Sequence, residues 1–141
     1  MTTSWTREEI ELVTERAYQL HLQGKNSEAF TIFEGLLAID PNNLYCLEAL
    51  AALSLSLGSA EQAVEYSSRA LAVLPKHVTA LACRCEANLL LNRFAPAQQD
   101  LESLKQLRAA LHVARLTMRI NSAVKFPANL LPDATFRELE R

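Results

Sequence analysis

The chain has 141 residues, of which 50% are hydrophobic and 21% charged, with a formal net charge of -2 and only three glycines and five prolines. That length and apolar content suffice for one core without metal or disulfide staples, and abundant Leu and Ala with so little Gly and Pro argue for helix and against a turn-rich all-β fold. No long run of Lys or Arg is present, which removes the electrostatic footprint expected for nucleic acid or acidic lipid.

Thr6-Arg7-Glu8-Glu9 has capping-box spacing, and Trp5 and Ile10 stand where a hydrophobic staple closes such a start. The spacing predicts a first helix from about Arg7 to Gln23, with Ile10, Val13, Ala17 and Leu20 on one face and Gly24 ending it. Asn26 or Ser27 is placed to cap the second helix, which runs to Ile39 before Asp40-Pro41 stops it. Asn42 or Asn43 caps the third, which runs to Leu57 and ends at Gly58. Ser59-Ala60-Glu61-Gln62 has capping-box character and opens a fourth helix to Val73, closed by Pro75. The fifth covers about His77 to Leu91, with Asn92 in the glycine's place, a residue that tolerates the left-handed region. A sixth starts near Ala95, with Pro96 in its first turn.

These elements repeat. Ala63 lies 34 residues after Ala29, Ala97 lies 34 after Ala63, and Pro75 lies 34 after Pro41. A fixed period with small residues and closing prolines in register marks a repeat array. Beyond it the punctuation fades: Ala109 stands where a third proline is due, while Leu104, Leu107, Leu111, Ala114 and Met118 keep helical spacing. Either the sixth helix runs on to about Lys125, or a turn near residues 108–110 starts a seventh, capping helix. The second reading is favoured because an open array exposes an apolar face, and Val113, Leu116, Ile120 and Val124 form a stripe to cover it. From Phe126 the tail is proline-punctuated, with a weak final helix over Thr135–Glu140.

No constellation with catalytic chemistry emerges. His21, His77 and His112 lack metal-ligand spacing, and there is no GxSxG, no HExxH and no phosphate-cradling glycine loop. Cys46, Cys83 and Cys85 are an odd count without a CxxC, and read as small apolar core residues in a reducing compartment. The N-terminus lacks the basic and apolar regions of a secretory signal, and the apolar-rich stretch Leu44–Leu57 contains Glu48 and is too short to span a bilayer. The expectation is a cytoplasmic, non-enzymatic protein with no cofactor, no metal, no nucleic-acid partner and no membrane insertion.

On these residues the chain resembles the tetratricopeptide (TPR) repeat family over residues 10–111. The family's small-residue column of the first helix falls on Ala17, Ala51 and Cys85. Its glycine column falls on Gly24, Gly58 and Asn92, its second-helix alanine column on Ala29, Ala63 and Ala97, and the aromatic column after it on Phe33, Ser67 and Leu101. The resemblance implies an all-α fold: three tandem helical hairpins (10–43, 44–77 and 78–111) in a short right-handed solenoid. An N-terminal extension (1–9) precedes them, and a capping helix (112–125) and a tail (126–141) follow. It also implies a concave groove lined by the first helix of each hairpin, holding an extended or helical segment of a protein partner. The partner-facing positions carried over from the family are Tyr18, His21, Leu22, Tyr45, Glu48, Ala52, Leu55, Ala82, Glu86 and Leu89. Such a groove is neutral to acidic. The columns that carry cations in TPR domains gripping heat-shock chaperone C-termini hold Thr14, Tyr18, Ala49, Thr79 and Cys83 here, so that carboxylate grip is not expected.

The strings Ala17-Tyr-Gln-Leu20, Gly24-Lys-Asn-Ser-Glu-Ala29-Phe-Thr-Ile-Phe33 and Cys85-Glu-Ala-Asn-Leu-Leu-Leu91 are similar to the small TPR chaperones of bacterial type III secretion, which hold translocator proteins before export. That resemblance implies a chaperone whose partner is a secreted substrate. A scaffold or adaptor docking through its convex face or termini, with Trp5, Phe126, Leu130 and Leu131 as contacts, is the alternative. Self-association, with the tail in its own or a neighbour's groove as in a homodimer, is a third reading.

Overall fold

The computed structural model describes residues 4–125, and all regular structure among them is helical: α1 (Arg7–Leu22), α2 (Asn26–Ile39), α3 (Leu44–Ser56), α4 (Ala60–Val73), α5 (Val78–Leu90), α6 (Phe94–Gln106) and α7 (Ala110–Lys125). The tail, with Phe126, Leu130, Leu131 and the expected final helix, lies outside the described residues. Consecutive helices pack as the hairpins α1/α2, α3/α4 and α5/α6. The hairpins stack on one another through α2 against α3 and α4 against α5. α3 also touches α5, and α7 packs on both α5 and α6. The result is an all-α solenoid of hairpins with α7 at its end.

Two kinds of turn build this array. In the first, Gly24, Gly58, Asn92 and Arg108 adopt φ of 79°, 80°, 59° and 58°. The N–H of the residue after each reaches back five residues: Lys25 to the Leu20 carbonyl at 2.9 Å, Ser59 to Ser54 at 2.8 Å, Arg93 to Asn88 at 2.8 Å and Ala109 to Leu104 at 3.1 Å. This closure consumes carbonyls that a helix end leaves bare. In the second kind, α2 and α4 run out into extended backbone at Asp40 and Leu74. After the prolines, the next helix is capped by a side chain: Asn43 Oδ1 accepts from the Cys46 N–H at 3.1 Å, and His77 Nδ1 accepts from the Ala80 N–H at 3.2 Å.

The turn between α6 and α7 is of the first kind, with Arg108 in the glycine's position. A tight left-handed closure needs no proline, so the missing third proline marks a change of turn and not a continuous helix. The capping box at Thr6 is present in both halves, Glu9 N–H to Thr6 Oγ1 at 3.1 Å and Thr6 N–H to Glu9 Oε2 at 2.8 Å. Two expected caps are not formed. The residue before α2 is Lys25, with no side-chain cap, and Asn26 Oδ1 is engaged by His21 Nδ1 at 2.9 Å. Ser59 precedes α4 but makes no capping bond, because its backbone is drawn into the glycine turn (φ -101°, ψ 72°) instead of the extended shape a cap needs.

The core follows the repeat columns. Ala17, Ala29, Ala63, Cys85 and Ala97 are fully buried, and Ala51 nearly so. Small side chains at these sites let paired helices approach closely, while Phe33, Leu101 and Leu104 fill the space beside them. Cys85 makes the closeness visible, its thiol donating to the Ala97 carbonyl at 3.3 Å. Ser67, in the aromatic column, is fully buried and satisfies its hydroxyl by donating to the Ala63 carbonyl within α4.

One feature has no counterpart in the apolar pattern. Arg84 on α5 makes a bidentate pair with Asp100 on α6, at 2.8 and 2.7 Å, and donates to Ser68 on α4 at 3.3 Å. The Asp100 side chain is 5% exposed. Removing one partner of such a pair strands a buried charge, so Asp100→Ala is expected to cost about 2–4 kcal/mol in urea unfolding. The double change Arg84→Met with Asp100→Leu is expected to recover most of the loss. At the α6–α7 turn the left-handed conformation of Arg108 costs a non-glycine residue about 1 kcal/mol. Arg108→Gly is therefore expected to raise the stability measured in the same titration only slightly, by at most about 0.5 kcal/mol after the added chain entropy of glycine.

Candidate partner-binding groove

The first helices of the hairpins lie on one side of the array, with α7 continuing the row beyond α5. Where α1 and α3 diverge, an apolar cavity of about 200 Å³ opens between them. Tyr18 and His21 from α1 and Tyr45, Glu48, Ala49, Ala52 and Leu53 from α3 line it, together with Phe33 from α2 and Thr79 from α5. Its size suits one large apolar side chain. Ala49 and Ala52 lower the floor because they have almost no side chain to fill it. Phe33, 1% exposed, closes the back and stands 6.0 Å from the Tyr45 ring. A wider, more open hollow of about 790 Å³ continues past Tyr45 toward Trp5, Ile10, Glu11 and Glu15.

Electrostatics differ along this surface. Burial pushes the Tyr45 phenol above its ordinary value, and Tyr18, Glu15 and Glu48 push the same way, so it stays a neutral hydroxyl at physiological pH. Glu48 lies 3.3 Å from His77 Nε2. Because His77 Nδ1 accepts the α5 capping bond, the proton of the neutral ring sits on Nε2, where it faces Glu48. At the other end Glu86 on α5 meets two arginines of α7: Arg115 at 3.2 Å, and Arg119 in a second ion pair.

Five of the ten residues expected to face a partner share the α1–α3 cavity: Tyr18, His21, Tyr45, Glu48 and Ala52. Leu22 is 64% exposed at the end of α1, and Leu55 is half-buried against the core. Ala82 and Leu89 are 3% and 7% exposed on α5, the helix that packs against α3, α4, α6 and α7. Glu86 is an ion-pair partner and not an open acid. Over α1 and α3 the surface carries Arg7, Glu11, Glu15 and Glu48, whereas α7 adds Arg115 and Arg119 beside Glu86. Phe33, in the aromatic column, and Leu53 join the cavity lining, and Arg115 and Arg119 stand outside the repeat columns. Their signal was present, since Arg115 and Arg119 sit four apart beside the buried stripe of Leu116 and Ile120.

The thiols offer no reactive centre. Burial pushes Cys83 up to about 12, helped by Glu86 and Glu48, and Cys46 and Cys85 up to about 11, helped by Asp40 and Asp100 respectively. All three are buried, so the folded chain is expected to show almost no reaction with a disulfide reagent at pH 8, and three equivalents after denaturation. A fast-reacting thiol in the folded protein would contradict this placement. Among the described residues no three His, Cys, Asp or Glu side chains gather as metal ligands, and no helix is long and apolar enough to cross a membrane.

No protein-family model matches the sequence, and no curated protein matches it. Solved structures do. PcrH from Pseudomonas aeruginosa, in complex with the chaperone binding region of PopB, superposes with a TM-score of 0.76 at 21% identity, over 84% of this chain and 99% of that one. The Yersinia enterocolitica type III secretion translocator chaperone SycD gives 0.72 at 17% identity, over 83% and 91%. The first TPR of Spaghetti (RPAP3), bound to the HSP90 peptide SRMEEVD, gives 0.78 at 20% identity, over 85% and 96%. At such identities the likeness is one of fold, and the fold of this chain is that of the tetratricopeptide repeat proteins, translocator chaperones among them.

Proposed function

We propose that this chain is a non-catalytic binding protein that holds an extended or helical segment of another protein in the groove over α1, α3 and α5. We further propose that it acts in the cytoplasm as a chaperone of a type III secretion substrate. The observation that carries the reading is the apolar cavity between Tyr18 and Tyr45, floored by Ala49, Ala52 and Leu53 and backed by Phe33. A preformed concave site with apolar walls and a few polar groups at its rim suits an anchoring side chain of a peptide. The exposed Tyr18 and Tyr45 bring hydroxyls able to hydrogen-bond a peptide, and their rings supply rigid contact area at low entropic cost. The likeness in fold to PcrH, seen with the chaperone binding region of PopB, and to the translocator chaperone SycD supports the secretion role. The residue roles, the three-repeat division at 10–43, 44–77 and 78–111, and the capping role of the segment that follows belong to the same proposal.

The test is isolation of the protein from its native host with whatever accompanies it, followed by mass spectrometry. A secreted protein bearing apolar segments is expected. Tyr45→Glu places a charge in the cavity mouth and is expected to weaken that complex by at least about tenfold. Leu111→Glu, at an 87% exposed site on α7, is expected to leave it intact. A complex indifferent to Tyr45→Glu but lost on removal of residues 126–141 would favour the adaptor reading and sink the groove.

A further inference from the structure

The cluster at the α5–α7 seam carries more positive charge than it consumes. Arg115 and Arg119 face the single carboxylate of Glu86, and their side chains remain 45% and 38% exposed. Each guanidinium has five N–H donors, and among the described residues Glu86 is the only acidic group paired with either. Arginine forks of this kind bind carboxylates through paired, charge-assisted hydrogen bonds.

The cluster is continuous with the apolar cavity. Thr79 of α5 lines the cavity, and Cys83 and Glu86 follow it on the same helix face, four and seven residues on. Across the same surface Tyr45 sits in the field of Glu15 and Glu48. Charge on the groove thus runs from negative over α1 and α3 to positive at α5 and α7. A bound segment with an acid over α1 would meet repulsion, and one with an acid over α7 would meet two arginines.

We propose that the segment held in the groove carries a carboxylate side chain that docks on Arg115 and Arg119 while an apolar side chain of the same segment fills the α1–α3 cavity. This inference rests on the groove reading and adds to it a second, charged subsite that sets the polarity of the bound chain. The subsite lies on α7, outside the columns of Thr14, Tyr18, Ala49, Thr79 and Cys83 where the family's cationic grip would stand. Packed helices are about 8–10 Å apart, so the seam, two helix spacings on, lies about 16–20 Å from the cavity. An extended chain covers that in about five to six residues.

A pool of random twelve-residue peptides, selected on the immobilised full chain, tests both layers. Selection on the wild type is expected to enrich an apolar residue with Asp or Glu about five to six positions away, on one side only. Selection on the Arg115→Gln, Arg119→Gln double variant is expected to keep the apolar residue and lose the acid. A resynthesised winner should bind the wild type about fivefold tighter than its Glu→Gln version in low salt, with the difference shrinking as salt rises. Arg119→Lys, which keeps charge without the fork, should keep part of the preference and guards against a merely structural loss of α7. Apolar enrichment without the acid, or an acid that survives the double variant, overturns the subsite alone. Enriched peptides whose binding ignores Tyr45→Glu, or no enrichment at all, overturn the groove reading and this inference with it.

Discussion

The array depends on how closely two helices of a hairpin can approach. Ala17 meets that demand in the first hairpin with Ala29, Ala51 in the second with Ala63, and Cys85 in the third with Ala97, all essentially without solvent exposure. A larger side chain at any of them would separate the helices and tilt the next hairpin, because close-packed interiors have no slack to absorb extra volume. The groove inherits its shape from these contacts. Tyr18 and Tyr45 belong to different hairpins, and they border one cavity only because the α2–α3 seam fixes the pitch between those hairpins.

The parts of the fold set by period were legible in the chain. Small residues and prolines spaced by 34, with Gly24, Gly58 and Asn92 in step, define hairpins without reference to any particular contact. Side-chain bonds at helix starts were read less well. Asn43 and Thr6 cap as their chemistry suggests, yet Asn26 and Ser59 do not, because the left-handed turn just before each leaves the backbone in the wrong shape for a side chain to reach round. The Arg84–Asp100–Ser68 link was not legible at all. Its members lie 16 residues apart in each direction, and no local rule pairs them until α4, α5 and α6 are already stacked.

The site divides the same way. Residues of α1 and α3 converge on one cavity, while on α5 Glu86 is paired by a neighbour that the columns do not include. α7 enters through a tight turn at Arg108 instead of the longer proline turn, so it stands outside the 34-residue register. A helix out of register brings residue types the repeats do not supply. Here it buries Leu116 and Ile120 against the array and turns two arginines toward Glu86. The repeat columns therefore account for the cavity over α1 and α3, while the arginines at its far side come from a helix they do not include.

The Arg84 link also bears on how the array comes apart. A stack of hairpins behaves as a one-dimensional chain whose seams need not be equally strong. Arg84 ties α5 both to α6 and back to α4, and Arg93 before α6 reaches Glu61 of α4 at 2.5 Å, so the second and third hairpins are bolted across their seam. Among the described residues no ion pair crosses from the first hairpin to the second, where Phe33–Tyr45 and Phe30–Tyr66 ring contacts stand instead. Such an array melts unevenly, its first hairpin loosening while the other two hold as a unit. The cavity between α1 and α3 lies on that softer seam. Its width is then a thermal variable, set by partial opening of one hairpin without unfolding of the rest.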